Sequence, residues 1–209
     1  MGIYERKQRE KKKRKKEIIN AARKVFSNKG FRAATMEEIA YEAELSPGTL
    51  YLYFKNKEEL HTILSIEILK RLADKIQKVV RRDISVEEKI DNFQDVFIDV
   101  YEYDSNILIN LFHLQSGETL KNLSDEVLKQ IKAHSALAHG AIIDVIRQGI
   151  DQGVFIDEHP VALADVLWAS YSGIVLWVDS KRLLNNQKAF VKPTLKTAFK
   201  IISKGLKKK

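Results

Sequence analysis

Hydroxyls, phenols and lysines recur at short intervals between residues 46 and 57: Ser46, Thr49, Tyr51, Tyr53, Lys55 and Lys57. Such groups hydrogen-bond phosphate oxygens and base edges. Gly48 lies among them, and a glycine lets the backbone approach a partner closely. Thr35 adds another hydroxyl upstream. The chemistry on offer is recognition of an anionic polymer.

Position depends on the elements around these residues. Thr35 and Glu38 have the spacing of a capping box, which opens a helix carrying Ile39, Ala40 and Ala43 on one face. Ser46 is a second N-cap, with Pro47 at the first helical position, where proline loses no hydrogen bond. Asn56 and Glu59 open a third helix in the same way. The spacing therefore predicts a helix of barely two turns over Pro47–Phe54. Leu50 and Phe54 anchor it inward, and Gly48, Thr49, Tyr51, Tyr53 and Lys55 face outward. So short a helix is held by its neighbours. Two helices joined by the turn Glu44–Ser46, the second polar outside, have the form of a helix-turn-helix unit for the major groove.

The segment from about Ile18 to Leu64 resembles the DNA-binding domain of the TetR family of bacterial transcription regulators. The resemblance is carried by AARKVFSNKGF (Ala21–Phe31) and ATMEEIAYEAELSPGTLYLYFKNKEEL (Ala34–Leu60). It implies phosphate contacts for Thr35, Tyr51, Tyr53 and Lys57, and places Gly48, Thr49 and Lys55 near base edges, with Ser46 and Pro47 at the helix start. It also implies a C-terminal helical domain that binds a ligand and pairs with a second copy.

At 209 residues, the chain has room for two small domains. The 44% apolar share supports a core, and 31% charged residues support a solvated surface. The absence of cysteine excludes disulfides and thiolate chemistry. No apolar run approaches about 18 residues, so no membrane span is expected. The basic N-terminus lacks the apolar block of a signal peptide, so a cytoplasmic location is expected. Nine Lys or Arg and two Glu fall within Met1–Lys16, so 9 − 2 = +7 of the net +8 sits there. A solvated tail is one reading of that run, and a phosphate-binding arm is the reading favoured before a DNA-binding domain.

The pattern predicts an all-α fold. Residues 1–16 form the basic arm, 17–60 the helix-turn-helix domain, and 61–209 a helical ligand-binding and dimerisation domain. The first helix is expected from about Lys15 to Ser27, with Ile18, Ala22, Val25 and Phe26 inward. Helix 4 follows from about Lys57 to Arg81, with Leu60, Leu64, Ile68, Leu72, Ile76 and Val79 as its stripe. Ser85 and Glu88 open a helix to about Tyr103. Further helices are expected over Asn106–Ser116, Ser124–Gln152 with Val127, Ile131, Leu137, Ile142 and Ile146 on its face, Val161–Asp179, and Lys192–Lys204.

Histidines 61, 113, 134, 139 and 159 lack the spacing of a metal site. No phosphate-cradling loop or nucleophile elbow occurs. No metal, cofactor or enzymatic activity is therefore expected. Phe93, Phe97, Tyr101, Phe112 and Tyr171, with His113 and Gln115 as polar groups, are candidates for lining an apolar ligand pocket; ordinary core packing is the alternative. Leu163, Leu167, Ser170, Gly173, Ile174 and Trp177 supply more apolar surface than one flank needs. The resemblance makes them the seam of a homodimer.

The sequence thus reads as a homodimeric repressor. It would bind a palindromic operator in double-stranded DNA and be released by a small apolar effector, such as a fatty acyl compound or a drug. A constitutive or architectural DNA-binding protein is the rival reading.

Overall fold

The structure is a computed structural model that describes residues 2–115, 125–185 and 190–208. Among these residues it contains nine helices: α1 (Ile3–Ala33), α2 (Met36–Glu42), α3 (Pro47–Tyr51), α4 (Lys57–Val80), α5 (Val86–Tyr103), α6 (Ser105–Gln115), α7 (Asp125–Asp151), α8 (Pro160–Asn185) and α9 (Val191–Leu206). The chain divides into two compact units, Met1–Glu67 and Ile68–Lys209, with the division inside α4.

In the first unit, Ile18, Ala22, Val25 and Phe26 of α1 are buried, as are Ile39 and Ala40 of α2, Leu50 of α3, and Leu60 and Leu64 of α4. The helical stretch of α1 starts much earlier than the apolar pattern predicts. Lys, Arg, Glu and Gln are good helix formers. Arg6 pairs with Glu10, and Lys13 and Arg14 pair with Glu17, all at helical spacing. These pairs offset the repulsion along the basic run. Gly30 breaks α1 with φ 76°, a conformation that favours glycine.

Two of the predicted capping boxes form in full: Thr35 with Glu38 on α2, and Ser85 with Glu88 on α5. The α2 C-terminus closes by bonds from Leu45 N–H to Ala40 C=O (2.8 Å) and from Glu44 N–H to Tyr41 C=O (3.0 Å). This is a Schellman closure, and it places Glu44 at φ 55°. A side chain in that region costs roughly 1–2 kcal/mol.

In the second unit, α5 packs on α6, α7 and α9, while α8 packs on α6, α7 and α9. Ile90, Phe93, Phe97 and Val100 bring α5 into the core. On α7, Ile131, Ala138, Ala141, Ile142, Val145 and Ile146 are buried, but Leu137 is exposed. Ala138 lies seven residues after Ile131, two full turns on, and takes the inward position expected for Leu137.

After α7 the chain turns back at Gly153 (φ 70°). Phe155 forms an isolated antiparallel bridge with Lys207. The bonds Ile156 N–H to Leu206 C=O (2.8 Å) and Lys208 N–H to Val154 C=O (2.9 Å) tie the end of α9 to this turn. A Cβ on Gly149 would come within 2.1 Å of the Phe155 ring.

Helix α8 is long and apolar enough over Pro160–Lys181 to cross a membrane by length and composition, at a mean hydropathy of 1.6. No uninterrupted apolar run marks it in the sequence, because Asp165 and Asp179 lie inside it. Ala164, Leu167, Tyr171, Val175 and Val178 form its buried stripe, and Asp165 pairs with His139 at 3.0 Å.

Candidate nucleic-acid interface

The interface is built on α3 and its two joints. The Ser46 hydroxyl accepts from Thr49 N–H (3.2 Å) and lies 2.8 Å from the Thr49 hydroxyl. Leu50 is wholly buried and Phe54 nearly so. Between these anchors the Leu50 carbonyl accepts from both Tyr53 N–H (2.9 Å) and Phe54 N–H (3.1 Å). The helix therefore ends at Tyr51, earlier than the expected Phe54, and tightens into a turn. The anchors face as predicted.

Ser46, Pro47, Gly48, Tyr51 and Lys55 are exposed, and Thr49 and Tyr53 are half-buried. A Cβ on Gly48 would meet only the Ser46 hydroxyl oxygen, at 4.0 Å, so the backbone there is open to a partner. Thr35 is exposed, although its hydroxyl already accepts from Glu38 N–H (3.2 Å). At the third helix start, Asn56 Oδ1 accepts from Glu59 N–H (2.9 Å), while the Glu59 carboxylate accepts from Lys55 N–H (2.8 Å).

Lys57, expected to contact phosphate, reaches partners within the chain. Its Nζ donates to the carbonyls of Phe31 (3.1 Å), Arg32 (3.1 Å) and Ala34 (2.9 Å), and lies 5.0 Å from the centre of the Phe31 ring. It closes the end of α1 rather than reaching outward. Spacing along one helix could not reveal this, because the partners lie more than twenty residues away in the chain.

Two exposed apolar residues beside the site escaped the sequence reading. Leu52 is 81% exposed and Tyr41 86% exposed. The signal for Leu52 was its place between two inward anchors, at positions 50 and 54.

Charges around the site are ordered by pairing. The Lys29 ammonium, the Thr35 backbone N–H and the hydroxyl of Thr35 hold the Glu38 carboxyl below its usual range. Lys24 is held above its ordinary value by its hydrogen bond to Glu42 and by that carboxylate's charge. His61 packs against Phe26 and Phe31, with ring centres at 5.7 and 4.6 Å. Burial pushes His61 down to about 4.

In the second unit, the candidate pocket residues pack on one another. Phe97 stacks on Tyr171 at 4.2 Å and 10°, and Phe112 meets Tyr171 edge-on at 5.5 Å. Trp168 touches Phe97, Phe112 and Tyr171, each at 6.1 Å. The Tyr171 hydroxyl donates to the Phe97 carbonyl (3.1 Å), and burial raises it well above the usual phenol range. Phe93 is buried and Tyr101 half-buried. The expected roles of His113 and Gln115 fall on side chains outside the described residues.

Of the residues expected at the dimer seam, Gly173 and Trp177 are exposed. Leu167 is wholly buried within its own unit, and Leu163, Ser170 and Ile174 lie on the flanks. The exposed stripe is Ala162, Val166, Ala169, Gly173 and Trp177. Val166 is 55% and Trp177 61% exposed. Helix α8 is apolar nearly all round, so periodicity alone could not orient it.

Residues 18–61 match the family described as bacterial regulatory proteins, tetR family. Among curated proteins, the chain is 26% identical over 162 residues to the helix-turn-helix transcriptional regulator YhgD of Bacillus subtilis (strain 168), covering 78% of this chain and 82% of that one. It is 24% identical over 133 residues to the fatty acid metabolism regulator protein of the same organism, covering 64% and 68%. Among solved structures, FadR from Bacillus subtilis in complex with stearoyl-CoA superposes with a TM-score of 0.66 at 19% identity, over 91% of this chain and 98% of that one. That likeness establishes a shared fold.

Proposed function

From its membership of the tetR family of bacterial regulatory proteins, carried by residues 18–61, we propose that this chain is a cytoplasmic, homodimeric repressor of transcription. One observation carries the proposal: a short helix and the turn after it, pinned by Leu50 and Phe54, expose Gly48, Tyr51 and Lys55, with Thr49 half-buried beside them. Thr35, Tyr51 and Tyr53 supply phosphate contacts, with Ser46 and Pro47 at the start of the helix. Two copies related by a two-fold axis read a palindrome with half-sites roughly 34–36 Å apart, or a multiple of that. The exposed stripe of α8 is the contact between copies.

The effector is an apolar molecule, and a long-chain acyl compound is the first choice. The similarity to a fatty acid metabolism regulator supports that choice. An acyl chain entering between α5, α6 and α8 displaces rings of the cluster around Tyr171. A specific observation favours a second reading, a constitutive DNA-binding protein: the rings of Phe97, Phe112 and Tyr171 already fill one another's space.

Footprinting on selected DNA, with and without long-chain acyl-CoA, separates these readings. A repressor protects one palindrome and leaves it when the acyl compound is added. Protection unaffected by any apolar compound supports the constitutive protein, and uniform protection of all sequences excludes both a repressor and an operator. Tyr51→Ala should weaken operator binding without moving the melting temperature. Leu50→Ala should destabilise the first unit by about 2–5 kcal/mol.

A further inference from the structure

Leu52 is out of keeping with its surroundings. It is 81% exposed, on a rim otherwise made of hydroxyls, phenols and a lysine. Its backbone is fixed: Leu52 N–H donates to Thr49 C=O at 3.2 Å, and the buried anchors Leu50 and Phe54 stand two residues away on either side. Those anchors occupy the core beneath the turn, so the isobutyl group has no inward position to fold into. A leucine cannot hydrogen-bond a phosphate or a base edge. The one apolar feature that base pairs offer in the major groove is the C5-methyl group of thymine.

We propose that Leu52 is a specificity-determining residue, which packs on a thymine methyl in each half-site. The inference rests on the DNA-binding reading above and deepens it. Thr49, Gly48 and Lys55 address polar edges and phosphates, while Leu52 selects a thymine beside them. Covering one methyl group is worth roughly a fourfold preference, and two half-sites in one dimer multiply to about fifteenfold.

The test uses the full-length chain. A site is first selected from random duplex DNA, and each thymine of a half-site is then replaced by uracil, symmetrically in both half-sites. Uracil keeps the pairing and removes only the methyl. Wild-type protein should bind about fifteenfold more weakly when one symmetric thymine pair is replaced. Leu52→Ala should bind the thymine and uracil versions equally well, with an unchanged melting temperature. Wild-type protein indifferent to every methyl removal overturns the inference and leaves the operator reading standing. So does a Leu52→Ala variant that keeps the full discrimination, which assigns the methyl to another residue. A chain that selects no sequence at all overturns the DNA-reading proposal and this inference together.

Discussion

The ammonium of Lys57 stands 2.9 Å from the carbonyl oxygen of Ala34, the residue immediately before the α2 N-cap. With the Phe31 and Arg32 carbonyls, it closes the segment that follows the Gly30 break. A side chain from the first turn of α4 thus holds the segment that leads into α2. Lys57→Met should leave these carbonyls without their charged donor and lower the stability of the first unit by about 1–3 kcal/mol. The salt dependence of DNA binding, measured on folded protein at low temperature, should stay as in the wild type. A flatter salt slope would return Lys57 to the phosphate-binding set.

His61 makes the first unit acid-sensitive. Its ordinary value is 6.5, and burial among Phe26 and Phe31 lowers it to about 4. Between these values the unfolded chain binds a proton that the folded chain refuses. Stability is therefore fully present above about pH 6.5 and declines as pH falls towards 4, by up to roughly 3 kcal/mol. Glu38 is depressed instead, so its contribution fades only as pH falls below its ordinary 4.5. Urea melts of wild type and His61→Leu from pH 4 to 7 should diverge in slope within the upper window.

Gly149 should not tolerate even a methyl group. A Cβ there would meet the Phe155 ring at 2.1 Å. Gly149→Ala should destabilise the second unit by at least the ~1–3 kcal/mol typical of overpacking, seen calorimetrically. Adding Phe155→Leu should restore part of the stability. Equal melting of wild type and the single variant would show that the ring has somewhere to go.

The basic arm is exposed along Arg6–Lys16. Deleting Met1–Lys13 should weaken binding to all DNA sequences alike. The log–log salt slope should flatten by about 0.9 for each phosphate that the arm no longer neutralises. The melting temperature should stay unchanged, because Tyr4–Lys13 are exposed. An unaltered slope would mean that the arm stays in water.

Gly173→Arg and Trp177→Arg put a charge on the exposed stripe of α8. Sedimentation should show monomers with helix content retained. Leu167→Arg puts the charge in the subunit's own core, where burying it unpaired is costly, so it should unfold the second unit. Dimers that persist in both stripe variants would place the interface elsewhere.

What was legible in the sequence follows a simple division. Interactions closed within one turn could be read directly: the Thr35–Glu38 and Ser85–Glu88 boxes form as spaced. One-sided amphipathic stripes could be read too, as with Ile18, Ala22 and Phe26 on α1. Where a helix is apolar on every side, the pattern carries no direction, and Leu167, expected on a face between copies, is buried within its own unit. The role of Lys57 depends on carbonyls brought to it by folding. Leu137 was misplaced because Ala138, a small residue with a weak apolar signal, holds the inward position. The helix through the basic arm was hidden because its acidic partners, Glu10 and Glu17, are few beside the lysines and arginines they pair with.

The two tryptophans of the chain occupy contrasting settings. Trp168 lies among Phe97, Phe112 and Tyr171, while Trp177 stands in solvent with the Lys181 ammonium 5.3 Å from its ring centre. The protein therefore carries two built-in optical reporters that need no label. Emission from Trp168, isolated in a Trp177→Phe background, follows what happens inside the aromatic cluster. Emission from Trp177, isolated by Trp168→Phe, should shift to the blue if a second copy covers the α8 stripe. Core occupancy and subunit association can thus be timed separately in one cuvette.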